Sequence, residues 1–136
     1  MNPEPDHLFD FARRYTAAWC SQHAVSVASL FSTEGSLNIN AGTPAVGRAA
    51  IVASVQGFMT AFPDLQVIMD NVFAQGDRAE YHWTLIGTHG GTGRRVSISG
   101  VEVWRIGADG LIAESQGRFD AADFQRQLEL GPEPPR

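Results

Sequence analysis

The hydrophobic period of this chain changes once, at Pro63. Before that residue, apolar side chains recur at three- and four-residue intervals, the signature of amphipathic helices; after it they alternate, the signature of half-buried strands. Leu8, Phe11, Ala12, Tyr15, Ala18 and Trp19 form one stripe of a helix expected over residues 3–21, with Asn2 as N-cap and Pro3 in the first turn. A shorter helix is expected over residues 24–31 and a short strand over 36–40. After the loop Ala41-Gly42-Thr43-Pro44, a third helix is expected over 48–62. It presents Ile51, Val55, Phe58, Met59 and Phe62, and Pro63 ends it.

Four strands then follow in sequence, over residues 65–75, 78–89, 95–106 and 111–119. Gly76-Asp77, the Gly90–Gly93 run and Ala108-Asp109-Gly110 supply turns of hairpin length, so the strands should form an antiparallel meander. Asp120 is placed to cap a final helix that Gly131 and Pro132 end. The expected fold is α+β: a cone-shaped, curved antiparallel sheet wrapped around the long N-terminal helix. Two further helices precede the meander and one follows it. A sheet curled around a helix leaves an open mouth, a shape suited to a ligand.

The 136 residues suit one domain, 1–136, with residues 133–136 as a frayed tail. A net charge of −5 argues against a nucleic-acid partner, which needs clustered cations. All ten basic residues are Arg, which removes Schiff-base chemistry and any Lys base. The single Cys20 excludes an intrachain disulfide and reads as a buried thiol beside Trp19. Neither a signal peptide nor an apolar run of roughly 18 residues is visible, so a cytoplasmic protein without membrane contact is expected. No metal-ligand spacing, phosphate loop or nucleophile elbow occurs.

Strand alternation selects the candidate site. In 95–106 the apolar face carries Val96, Ile98, Gly100, Glu102, Trp104 and Ile106, and Glu102 is the one charge on it. A carboxyl so placed should have its pKa raised by desolvation unless a cation such as Arg118 pairs with it. In 78–89 the same alternation puts Tyr81, Trp83, Leu85 and His89 inward and His82 outward. Tyr15, on the inner stripe of the first helix, either points its hydroxyl into the cone or packs as a core residue. The candidate catalytic pair is Glu102 and Tyr15. Asn38, Asn40, Trp83, His89, Trp104, Ser115 and Phe119 are candidate ligand contacts.

The chain resembles the SnoaL-like polyketide cyclases of the nuclear-transport-factor-2-like superfamily over nearly its whole length. The stretches that carry the resemblance are Phe11–Trp19, Gly47-Arg48, Ala61-Phe62-Pro63-Asp64-Leu65 and Gly76-Asp77-Arg78. To these are added the run from Trp83 to His89, Gly100-Val101-Glu102-Val103 and Phe124-Gln125-Arg126-Gln127-Leu128. The resemblance implies a protein without cofactor, homodimeric through the outer sheet face, with one hydrophobic small molecule in the cone. Family cyclases close rings by aldol condensation using an Asp on the last strand and a His on the strand before it; these positions fall on Gly117 and Glu102. Ketosteroid isomerases share the cone: their oxyanion-hole tyrosine and protonated Asp match Tyr15 and Glu102. Their general-base Asp falls on Ile39, between Asn38 and Asn40. The expected function is a cyclase or isomerase of a polyketide-like or other hydrophobic carbonyl compound. The alternative is a binding protein of the same fold.

Overall fold

The computed structural model describes residues 5–130. Helix α1 (Pro5–Cys20) buries Leu8, Phe11, Ala12, Tyr15 and Trp19, the stripe read from the sequence. The expected N-cap Asn2, Pro3 and the stop at Gly131-Pro132 lie outside the described residues. Helix α2 is shorter than expected, Ala24–Ala28, because Phe31 opens strand β1 (Phe31–Ile39). Phe31 pairs with Ile112, and the Ile112 N–H donates to the Leu30 carbonyl at 2.9 Å. A tertiary ladder thus captures two apolar residues that helical spacing also fits. A two-residue strand, β2 (Ala45–Val46), absent from the sequence expectation, pairs antiparallel with β1.

Helix α3 (Arg48–Ala61) buries Ile51, Val55 and Met59. It stops at Phe62, whose backbone (φ −127°, ψ 84°) is extended as the ring of the following Pro63 requires. Strands β3 (Gln66–Gln75), β4 (Arg78–Thr88), β5 (Arg95–Ile106) and β6 (Ile112–Phe119) form the antiparallel meander. Helix α4 (Ala121–Leu130) begins under Asp120, whose carboxylate accepts the Asp123 N–H at 2.9 Å.

The sheet is mixed, in the order β2-β1-β6-β5-β4-β3, because β1 runs parallel to β6. The long connection between them makes that pairing possible. The sheet is open, ending at β2 and β3. Its inner face buries Leu37, Tyr81, Leu85, Val96, Ile98 and Trp104 against α1 and α3. No helix of the described residues is long and apolar enough to cross a membrane.

Candidate functional site

Glu102 stands on the inner face of β5, between Tyr81 of β4 and Gly117 of β6. Period-two alternation forces its carboxyl inward along with Ile98 and Trp104, and it is only 8% exposed. Three donors converge on one of its oxygens. Oε1 accepts from the Ser115 hydroxyl at 2.7 Å, the Tyr15 phenol at 2.8 Å and the Trp104 indole N–H at 3.0 Å. Each donor arrives by simple register: Trp104 is two residues along the same strand, Ser115 lies opposite Trp104 on β6, and Tyr15 descends from α1. Among the described residues, Oε2 has no hydrogen-bond partner and no ion pair reaches Glu102. The pairing with Arg118 left open by the sequence does not form, because Arg118 points to the exposed face of β6.

Burial pushes the Glu102 carboxyl above its ordinary value, and the hydrogen bonds from Trp104, Ser115 and Tyr15 pull in the opposite direction without cancelling it. Burial, reinforced by the nearby Glu102 charge, drives the Tyr15 phenol well above its usual range, so Tyr15 is a fixed donor and not a proton source. The Tyr81 phenol is raised too, chiefly by burial, and its oxygen sits 2.5 Å from the Thr16 hydroxyl.

A raised carboxyl pKa has a consequence for stability. Glu102 is protonated in both states below the unfolded value of about 4.3. Above it the unfolded chain releases the proton while the folded chain still holds it, so the contribution to stability falls as pH rises toward the folded pKa. The isosteric Glu102→Gln variant lacks this term. Its thermal midpoint relative to the wild type should therefore rise between pH 4 and pH 8. A constant difference between the two melting curves would mean an unperturbed carboxyl.

Glu102 borders an apolar cavity. Leu37 and Ile39 of β1, Tyr81, Trp83 and Leu85 of β4, and Gly117 and Phe119 of β6 form its sheet side; Trp19 and Phe58 close it from α1 and α3. Trp83 lies edge-on to Phe119 with ring centroids 6.1 Å apart. Its Nε1 is fully buried and has no hydrogen-bond partner among the described residues.

The structure distributes the candidate residues unevenly. Trp83, Phe119 and Glu102 line the cavity. Tyr15, Trp104 and Ser115 stand behind Glu102, fully buried and bonded to it, so they position the carboxyl and do not border the space. Asn38 and Asn40 are corrected. On β1 the apolar Leu37 and Ile39 take the inner face, which leaves Asn38 on the outer one, bonding the Gly42 carbonyl, while the exposed Asn40 accepts the Phe119 N–H. His89 is corrected as well. It lies just beyond β4, its ring nitrogen Nδ1 accepts the Thr92 N–H at 3.1 Å, and it borders a separate shallow groove between α3 and α4. Sequence reasoning missed Leu37, Tyr81 and Phe58 as cavity walls, although the alternation that selected Glu102 also turns Tyr81 and Leu37 inward.

The described residues form an open α+β fold with one carboxyl in an apolar cavity. The sequence matches the SnoaL-like domain over residues 12–115, and the chain belongs to that family. No curated protein matches it. Among solved structures, a candidate SnoaL-like polyketide cyclase from Jannaschia sp. CCS1 is 18% identical, with a TM-score of 0.81 over 99% of each chain. AclR, a candidate hydroxylase from Streptomyces galilaeus, is 25% identical, with a TM-score of 0.79 over 93% of this chain and 98% of its own. A protein of ketosteroid isomerase-like fold from Catenulispora acidiphila DSM 44928, crystallised with trimethylamine, is 17% identical. Its TM-score is 0.81 over 90% of this chain and 95% of its own.

Proposed function

We propose that this protein is a cofactor-free cyclase or isomerase of a polyketide-like or other hydrophobic carbonyl compound, with Glu102 as its acid. The observation that carries this reading is the asymmetry of the carboxyl, with three donors on Oε1 and none, among the described residues, on Oε2. In the neutral acid, the proton belongs on Oε2, because Oε1 is already an acceptor three times over. Oε2–H is then free to donate to a ligand carbonyl oxygen, as a buried protonated carboxylic acid does.

The same three donors stabilise the carboxylate left after proton transfer. Burial favours the neutral form, the donors favour the charged form, and a balance of the two suits an acid that must give and recover a proton. In ring closure, the enol carbon of a 1,3-dicarbonyl attacks the ketone carbon as Oε2–H passes to the ketone oxygen. The enol proton, released as that oxygen becomes a carbonyl, returns to Glu102. Such a substrate supplies its own acidic proton, so one carboxyl can serve both as the acid and as the acceptor of the released proton. Trp83 and Phe119 hold the flat apolar body of the ligand. The resemblance to the family extends the proposal to a homodimer, formed in the cytoplasm.

The reading is tested by carbon-detected titration of Glu102 in the free protein. The carboxyl should titrate above the roughly 4.3 of a free glutamate and shift on adding a carbonyl ligand. A midpoint at or below that value means a structural carboxylate, and the acid role is withdrawn. A second reading, binding without turnover, is favoured by one observation: Gly117 and Ile39 stand at the carboxylate positions that the resemblance implies, so Glu102 is the one carboxyl lining the cavity among the described residues.

A further inference from the structure

The glycines facing the inside of this sheet are not alike. A Cβ at Gly100 would lie 2.3 Å from the Arg118 carbonyl oxygen and 2.4 Å from Trp83, and one at Gly35 would lie 2.8 Å from the Ile112 carbonyl oxygen. At Gly87 it would meet Phe62 at 3.2 Å. Close packing of the protein on itself explains all three. Gly47, Gly76, Gly93 and Gly110 have positive φ, which explains them by conformation.

Gly117 has neither reason. It has ordinary strand geometry in the middle of β6, where glycine is a poor strand former. A Cβ there would make only ordinary contacts, 3.5 Å to the Asn38 carbonyl oxygen and 3.6 Å to Glu102 Cγ. The space it leaves opens into the cavity, which Gly117 lines. Its register partners are Glu102 on one side and Ile39 on the other, so the missing side chain is a gap directly beside the carboxyl.

We infer that Gly117 is the specificity-determining residue of the cavity: its bare backbone is the floor of a slot, walled by Ile39 and Glu102, that admits the flat carbonyl end of the ligand. The slot selects carbonyl compounds that are planar at the reacting end, such as aryl ketones and enolised dicarbonyls. A branched carbon beside the carbonyl is excluded, because Ile39 and Glu102 flank Gly117 at one strand spacing on each side, roughly 9–10 Å apart at the backbone, which leaves about one layer of atoms between their side chains. The inference rests on the proposed seat of the ligand carbonyl at Glu102 Oε2.

The experiment is a calorimetric titration of 2-acetylnaphthalene, a flat aryl ketone, into the wild type, Gly117→Ala and Gly117→Val. Affinity should fall at each step, by about tenfold per added carbon layer, and disappear for valine. In Gly117→Ala the Glu102 carboxyl keeps its three donors on Oε1 while the added methyl deepens its burial, so its carbon-detected titration should stay where it is or move upward, and should not fall. That readout separates a filled slot from a disturbed carboxyl. Equal affinity in all three proteins overturns the inference, as does a wild type that fails to bind the flat ketone, or a Glu102 titration that falls with alanine. Failure of the acid role is a separate result: stepwise loss of affinity with turnover that survives Glu102→Gln would keep the slot and remove the acid.

Discussion

Glu102→Gln should lower turnover of any carbonyl substrate by roughly 10²–10⁴-fold, the usual contribution of a positioned acid, while leaving binding within a few-fold of the wild type. The argument is one of matched shape and unmatched chemistry. The glutamine oxygen takes the place of Oε1 and accepts the same bonds from Ser115, Tyr15 and Trp104. Its NH₂ takes the place of Oε2 and still donates to a ligand oxygen facing the cavity, but it cannot release a proton at any working pH. Binding is therefore preserved and proton transfer is not. Single-turnover rates and calorimetry on the same preparations separate the two quantities. Retention of full turnover would exclude Glu102 as the acid. A wild type that binds carbonyl compounds, converts none of them and is indistinguishable from the glutamine variant would establish the binding-protein reading.

How far the sequence led depends on whether a feature is local. The period change at Pro63, the hairpin turns and the Asp120 cap are local, and the meander and α4 follow from them within a residue or two. Glu102 was legible for the same reason: one charge in an alternating apolar row is conspicuous without knowledge of any neighbour. The α2–β1 boundary was not legible, because Leu30 and Phe31 satisfy both periods and only the distant Ile112 decides between them. Asn38 and Asn40 are neighbours of the inward Ile39 in the sequence, and the alternation of Leu37 and Ile39 turns them away from the cavity. The role of Tyr15 hung on a contact 87 residues away in sequence. Gly100 and Gly117 look identical as letters, and they differ only in what a Cβ would meet.

That difference yields the second large effect. Gly100→Ala should destabilise the fold by about 3 kcal/mol, the upper part of the usual range for overpacking, and lower the thermal midpoint by roughly 10 °C for a domain of this size. The new methyl group would meet the Arg118 carbonyl oxygen at 2.3 Å, and that oxygen is backbone, so the strand itself must move. Trp83 would meet the same methyl at 2.4 Å, and its ring rests against Phe119 in the cavity wall. Relief of either contact displaces β6 or turns the indole into the cavity. Gly117→Ala is the internal control. It adds the same methyl group on the neighbouring strand, meets nothing closer than 3.5 Å, and should melt within about 3 °C of the wild type, since one kcal/mol moves such a domain by only a few degrees. Thermal denaturation of both variants by circular dichroism makes the comparison. Equal melting of the two would mean that β5 and β6 yield to the methyl at little cost, and that the cavity wall is softer than its packing implies. A large gap between them would assign Gly100 to the architecture of the wall and leave the open space at Gly117 to the ligand.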